Sequence, residues 1–290
     1  MKSLLLLIAI CLLLPANGWG TTILFDGFED GTDDNWECDY IQGDSAIVGS
    51  PVYAGSYALN QPSTSTGNLV HCFADNALLG SPTTMVEDIQ FTTYLYYSSG
   101  FQWPSGAVKI WLLNSFLSWG AGCSEANNSA KPHTWAPYYF TIYANGSGQP
   151  MGQLVRADGL ETNGECRTDV TDGALWVDYA QNQGSPVAIS AATWTKLTVR
   201  LKLNTSGSSD GIFQLWIDDV LKADYSTMNF RGTYTDTGWN HLMSSFDPEP
   251  SHPQAQNVTR DDVLLESLDV NPSISGCTIS GGTVTGVRVY

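Results

Sequence analysis

The stretch Lys196-Leu-Thr-Val-Arg-Leu-Lys-Leu203 alternates polar and apolar residues without a break, and a second alternating stretch, Phe213-Gln-Leu-Trp-Ile217, follows it. Strict alternation is typical of a β-strand with one buried face. The residues between the two stretches are rich in Ser, Gly and Asn, which favour turns. The two stretches therefore predict a β-hairpin. Its core-facing residues are expected to be Leu197, Val199, Leu201, Leu203, Phe213, Leu215 and Ile217.

Short alternating runs bounded by Gly, Ser, Asn and Pro recur along the rest of the chain, whereas helical periodicity is scarce. Further strands are predicted at 89–97, 108–113, 138–144, 175–179 and 263–268. Many short strands with almost no helix indicate an all-β protein, an antiparallel β-sandwich or barrel. We predict one such domain over residues 21–270, followed by a Gly/Ser/Thr-rich segment, 271–290, that forms an edge strand or a tail.

Residues 1–20, MKSLLLLIAICLLLPANGWG, have the order of a signal peptide: a basic residue, a short apolar run, then small residues. The mature protein is therefore expected to be secreted, either extracellular or periplasmic. No later stretch is apolar for long enough to span a membrane. The chain has 12 Lys and Arg against 29 Asp and Glu, a net charge of −17, which argues against a nucleic-acid partner.

Five cysteines remain after the predicted signal peptide: Cys38, Cys72, Cys123, Cys166 and Cys277. Their spacing matches no zinc site, and disulfides are the expectation in an oxidising compartment. Cys38 with Cys72 and Cys123 with Cys166 are candidate pairs. The sequence leaves both the pairing and the oligomeric state open.

Several motifs resemble those of a known family. The segment 194–220 contains Trp194, Asn204-Thr, Asp210-Gly and Trp216-Ile-Asp218 at the spacing found in jelly-roll polysaccharide lyases of the alginate, glucuronan and heparin lyase types. Asp219 stands where the family usually has Gly. Further similar segments are 25–29, 99–104 and 260–263. The resemblance implies a concanavalin A-like jelly roll that meets a polysaccharide, but related jelly rolls also include non-catalytic glycan-binding modules.

Cleavage of a uronate polymer by β-elimination needs a group that neutralises the carboxylate, a base for the C5 proton and an acid for the leaving oxygen. Arg, Lys, Gln or Asn suit the first task, and Tyr or His the other two. The catalytic candidates are Lys109, Tyr139, Arg200 and His241. The candidates for substrate binding are Lys202, Gln214, Trp216 and Arg231. The strand residues among them form one site only if their strands share one concave sheet.

A structural metal site is also predicted where the first and last strands are expected to meet. Asp26, Glu29 and Asp262 supply carboxylate oxygens there, which suit the hard ion Ca²⁺. The alternative reading is that these residues are ordinary acidic turn residues at the surface.

Three functions fit the sequence. The first is a secreted lyase acting on an acidic polysaccharide, and the second is a non-catalytic carbohydrate-binding or adhesion module. The third is a structural envelope or matrix protein. A retaining glucanase is disfavoured because no Glu-x-Asp-x-x-Glu arrangement of carboxylates is present.

Overall fold

In a computed structural model of the chain, the residues described are 20–40, 45–63, 70–74, 86–104, 107–115, 138–156, 175–177, 187–231, 238–239, 241–249 and 256–269. They form strands β1 (Thr21–Asp26), β2 (Trp36–Tyr40), β3 (Ala46–Val48), β4 (Ala58–Ser63), β5 (Val70–Ala74), β6 (Asp88–Tyr97), β7 (Ala107–Ser115), β8 (Tyr138–Ala144), β9 (Pro150–Arg156), β10 (Leu175–Val177), β11 (Trp194–Lys202), β12 (Gly211–Ile217), β13 (Val220–Met228), β14 (His241–Glu249) and β15 (Gln256–Ser267). The prediction of an all-β fold is confirmed.

The described strands pair into two sheets. The eight-stranded sheet has the order β13-β12-β11-β6-β15-β4-β3, with β1 also paired to β15, and the seven-stranded sheet has the order β10-β9-β8-β7-β14-β5-β2. All of these pairings are antiparallel. The two sheets enclose one hydrophobic core, so the sandwich prediction holds.

The hairpin predicted from the sequence is confirmed as β11 and β12. Arg200 pairs with Gln214 in its register, and all seven residues expected in the core are buried. Phe213 contacts Phe140 of the opposite sheet at a ring-centroid distance of 4.8 Å. Burial of one such ring contributes about 1.5–3 kcal/mol, so this contact helps to hold the sheets together.

One cation, Arg260 on β15, is completely buried between the two sheets. Its guanidinium donates hydrogen bonds to Gln61 Oε1 and, at 3.1 Å, to the backbone carbonyl of Ile110 on the other sheet. It also lies 5.3 Å from the centre of the Trp111 ring. Burial lowers the pKa of Arg260 to about 10, so it keeps its charge at neutral pH.

The Ile110 carbonyl that Arg260 contacts lies at an irregularity of β7. The register of β7 against β8 shifts between Lys109 and Trp111. Bulges of this kind change the direction in which neighbouring side chains point. Trp111 is fully buried in the core, and Lys109 is only partly buried. Arg260 therefore fixes the backbone at the point where β7 presents Lys109.

Cys38 and Cys72 lie in β2 and β5, which pair antiparallel; Glu37 is opposite Phe73 and Tyr40 is opposite His71. The Cys38–Cys72 disulfide stays a prediction. Cys123, Cys166 and Cys277 lie outside the described residues, as do the predicted signal peptide up to residue 19 and the segment 271–290. No helix of the length and hydrophobicity needed to cross a membrane occurs in the described part of the chain.

Candidate active site

The outer face of the seven-stranded sheet is defined by the alternation of β8. Phe140, Ile142 and Ala144 belong to the core. Thr141 and Tyr143 therefore face away from the core, and Tyr139 occupies an outward position of the same strand. Thr141 is nevertheless completely buried and Tyr143 is only 9% exposed. These two positions of the outer face are therefore little exposed to solvent.

Three residues with suitable chemistry lie in one row across this face. His241 on β14 is opposite Asn114 on β7, and Asn114 is opposite Tyr139 on β8. Neighbouring strands are about 4.8 Å apart, so the backbones of His241 and Tyr139 are about 10 Å apart with Asn114 between them. The backbones of these three residues therefore occupy neighbouring register positions on three adjacent strands.

Lys109 lies in a different row of the same face, opposite Tyr143 on one side and Asp247 on the other. The row of Lys109 and the row of Asn114 have partners on β8, Tyr143 and Tyr139, that are four positions apart, which corresponds to about 14 Å along a strand. Lys109 therefore shares the sheet with Tyr139 and His241 but lies in a separate row. Its role in neutralising a substrate carboxylate stays a prediction.

Arg200 is separated from Tyr139 and His241 by the core, because β11 belongs to the eight-stranded sheet. Its guanidinium donates two hydrogen bonds to Asp88, at 3.0 and 2.8 Å, and one to Gln214 at 3.4 Å. The bond to Asp88 raises the pKa of Arg200. Arg200 and Lys109 therefore do not share one groove, contrary to the premise of the prediction. The positive charge of Arg200 is compensated by Asp88.

Lys202, Gln214 and Trp216 also lie in the eight-stranded sheet. Lys202 is exposed, Gln214 donates a hydrogen bond to Asp224 at 2.9 Å, and Trp216 is opposite Thr198. They share the outer face of this sheet with Arg200. The prediction that these residues join Lys109 in one groove is therefore wrong.

The side chain of Arg231 is largely buried, with only 7% exposed. Its Nε donates a hydrogen bond to the carbonyl of Asn204, and its Nη1 forms an ion pair with Glu87 at 2.7 Å. Its backbone N–H is bonded to the side chain of Asn204. Arg231 thus ties together the backbone around the ends of β11 and β13, and its role in substrate binding stays a prediction.

Two of the predicted calcium ligands, Asp26 and Glu29, accept hydrogen bonds from other groups of the protein. Asp26 accepts hydrogen bonds from the backbone of Phe28, from Asn35 and from the Trp36 indole. Both oxygens of Glu29 accept the Ser56 backbone N–H. Among the described residues, no three His, Cys, Asp or Glu side chains are grouped to hold a metal ion. Calcium stays a prediction of the sequence.

Asp262 provides a test of this acidic end of the sandwich. Burial, with the nearby charge of Glu29, raises the pKa of Asp262 above 3.8, so the folded state favours its protonated form. The protonated carboxyl of Asp262 therefore stabilises the folded protein at pH values below the ordinary pKa of aspartate. This contribution to stability is lost as the pH rises through the raised pKa. Asp262→Asn is therefore expected to raise the urea midpoint of unfolding at pH 7, with the difference vanishing near about pH 3.

Asparagine tolerates the φ of +45° at position 262, so the substitution introduces no backbone strain. The control is Asp34→Asn, which makes the same change at an exposed aspartate. A lower midpoint for Asp262→Asn at pH 7 contradicts this account. A rise in the wild-type midpoint on adding Ca²⁺, absent in Asp262→Asn, would instead show a metal site.

Sequence reasoning missed Asn114 and Tyr143. Asn114 lies in β7, one residue beyond the predicted end of that strand at residue 113. Tyr143 follows Tyr139 and Thr141 at every second position of β8. Alternation from Tyr139 would have found Tyr143. Only the pairing of β7 with β14 and β8 reveals Asn114, because that pairing joins strands far apart in the sequence.

The architecture is shared with solved structures of polysaccharide lyases. An endo-β-1,4-glucuronan lyase from the fungus Trichoderma reesei has 15% identity and a TM-score of 0.59, with coverage of 85% of this chain and 96% of the lyase. The alginate lyase vAL-1 from Chlorella virus has 14% identity and a TM-score of 0.58, with coverage of 85% and 98%. The fold is that of the jelly-roll polysaccharide lyases. The jelly-roll prediction is thereby confirmed.

The same jelly roll also occurs in a cellulose-induced protein, Cip1, with 13% identity, a TM-score of 0.51 and coverage of 84% of this chain and 97% of that one. At such identities the likeness establishes the fold alone. No family model matches the chain, and no curated protein sequence matches it.

Proposed function

We propose that this protein is a secreted polysaccharide lyase that cleaves an acidic, uronate-containing polysaccharide by β-elimination. The observation that carries the proposal is the row His241, Asn114, Tyr139 across three neighbouring strands. The lyase-type jelly roll supports it, since two of the solved structures with this fold are lyases of uronate polymers.

The row supplies the three groups that the reaction needs. The Asn114 amide donates a hydrogen bond to the substrate carboxylate and stabilises the negative charge that develops next to it. His241 takes the C5 proton, and the electrons of that C–H bond form the C4=C5 double bond as the C4–O bond breaks. The Tyr139 hydroxyl gives its proton to the leaving glycosidic oxygen. One chain end becomes unsaturated and the other becomes a new reducing end.

The screening experiment uses purified protein with alginate, glucuronan and heparin. The ultraviolet absorbance of the conjugated product is expected to rise with at least one of them. No rise with any uronate polymer, together with retention on a glycan column, contradicts lyase activity. That outcome would support the second candidate, a non-catalytic carbohydrate-binding module.

Lys109 is proposed to bind a uronate carboxylate about three sugar units from the cleaved bond, because its row lies about 14 Å along the face from that of Asn114. A contact with a remote sugar stabilises the bound substrate and the transition state equally. Lys109→Ala is therefore expected to raise KM about tenfold and to leave kcat nearly unchanged.

Lys202→Ala is the matched control for Lys109→Ala, because Lys202 is an exposed lysine on the other sheet. It is expected to change neither constant. A fall in kcat for Lys109→Ala with KM unchanged would place Lys109 at the reacting sugar and contradict the remote position.

A further inference from the structure

Four aromatic residues lie together on the outer face of the eight-stranded sheet: Tyr53, Tyr94, Tyr96 and Trp194, which we call the aromatic platform. The Tyr53 ring stacks on Tyr94, with centroids 3.5 Å apart and an interplanar angle of 15°. Trp194 lies 5.9 Å from Tyr53, at 70° to it, and 5.4 Å from Tyr96. Tyr53 and Trp194 therefore form an aromatic corner on this surface.

The platform faces away from the core. Leu95 and Tyr97 alternate with Tyr94 and Tyr96 along β6 and are buried, whereas Tyr94 and Tyr96 are only partly so. Tyr53 is 45% exposed. The core and the seven-stranded sheet separate the platform from the row at Asn114. It is thus a second surface, independent of the proposed cleavage site.

The exposed Tyr53 ring is held in a fixed position. The backbone N–H groups of Tyr53 and Ala54 both donate to Asp261 Oδ2, at 2.7 and 3.2 Å, and Asp261 is completely buried. The ring is also supported from below by Tyr94. An exposed aromatic ring that is already immobilised loses little entropy when a ligand stacks on it.

The polar side chains beside the platform can form hydrogen bonds with the hydroxyl groups of a sugar. Lys196 is opposite Tyr94 in the sheet, and its Nζ forms an ion pair of 2.7 Å with Asp219, whose side chain is 75% exposed. A carboxylate beside an ammonium group offers both an acceptor and donors to a sugar hydroxyl. Sugar rings have an apolar face that suits an aromatic ring and hydroxyls at their edge.

The electrostatics disfavour a uronate at this surface. Burial and the hydrogen bond with Tyr53, together with the nearby carboxylates of Asp219 and Asp262, raise the pKa of Tyr94. The same carboxylates repel a polyanion, and the whole chain carries a net charge of −17. A neutral polysaccharide avoids this repulsion.

We infer that the aromatic platform is a binding site for a neutral polysaccharide, in which a hexopyranose or pentopyranose ring stacks in the corner of Tyr53 and Trp194 while Asp219 and Lys196 bind its hydroxyls. Trp216 lies on the same outer face, one strand away from Lys196 and one row along. Its predicted stacking role thus belongs to this surface and not to the cleavage site. The inference goes beyond the proposed lyase activity and does not depend on it.

The experiment is affinity electrophoresis of the full chain in gels containing hydroxyethyl cellulose, arabinoxylan or galactomannan. The wild type is expected to be retarded by at least one of these, with Tyr53→Ala and Trp194→Ala each binding about tenfold more weakly. Tyr57→Ala, at an exposed tyrosine outside the platform, is the matched control and is expected to bind like the wild type.

Two results would overturn the inference: no retardation of the wild type by any of the three neutral polymers, or equal binding by Tyr53→Ala and Tyr57→Ala. Loss of binding counts only if circular dichroism and the unfolding midpoint show that the variant is folded. Cleavage of uronate polymers by Tyr53→Ala is expected to equal that of the wild type. The binding of neutral polysaccharides by the platform and the cleavage of uronate polymers are therefore tested separately.

Discussion

Replacing Tyr139 by phenylalanine is expected to reduce kcat on a uronate polymer by about 10²–10⁴-fold while the protein stays folded. The substitution keeps the ring and removes the only proton that the residue can give to the leaving oxygen. Without that proton the C4–O bond must break to leave an alkoxide, which is a much poorer leaving group. The measurement is the initial rate of ultraviolet absorbance increase at saturating substrate.

Tyr138→Phe is a matched control for Tyr139→Phe, because it makes the same chemical change one residue earlier in β8. Position 138 shares the inward series with Phe140, whereas position 139 shares the outward series with Thr141. Tyr138→Phe is expected to keep nearly full activity. Similar activities for the two variants would exclude Tyr139 as the general acid.

Arg260→Ala is expected to lower the free energy of unfolding by about 3 kcal/mol or more. The change leaves the Gln61 side chain and the Ile110 carbonyl without their guanidinium donor. Each buried acceptor that loses its donor costs about 1–3 kcal/mol, and the cavity left in the core adds to this loss. The substitution also removes the desolvation cost of the buried guanidinium, which offsets only part of this loss of stability. Urea unfolding at neutral pH measures the effect.

Lys196→Ala provides the contrast, because it removes a cation whose ion pair with Asp219 is at the surface. A surface ion pair contributes about 1 kcal/mol or less. If both variants lose the same free energy of unfolding, the guanidinium of Arg260 contributes no more to stability than a surface charge does. That result would contradict the prediction.

The parts of the fold that alternation governs were predictable from the sequence. Leu197, Val199 and Leu201 face the core as expected, because a strand has only two faces and an unbroken apolar series must take the buried one. The hairpin was also predictable, because its strands are consecutive and the loop between them, residues 203–210, is rich in turn-forming residues.

The assignment of strands to sheets was not predictable from the same pattern. Lys109 and Arg200 look alike in the sequence, since each is a cation at an outward position of a strand. They lie on opposite sides of the core because β7 pairs with β8 and β14, whereas β11 pairs with β6 and β12. Such pairings depend on contacts distant in the sequence, and local periodicity carries no information about them.

The burial of Arg260 was also not predictable from the sequence. An arginine in an Arg-Asp-Asp segment is expected at the surface. The irregular register of β15 between Asp261 and Leu264, together with acceptors from β4 and β7, accommodates its guanidinium inside the core. No local motif signals such acceptors, because Gln61 and Ile110 are 199 and 150 residues away along the chain.

The most direct test of the central claim is a stoichiometry on the polymer that the wild type cleaves. β-Elimination creates one C4=C5 double bond for every new reducing end, so ultraviolet absorbance and a reducing-end assay are expected to rise together in a 1:1 ratio, and both to be lost in Tyr139→Phe. Reducing ends that form without ultraviolet absorbance would reveal hydrolysis. That result would contradict the role assigned to the row of His241, Asn114 and Tyr139.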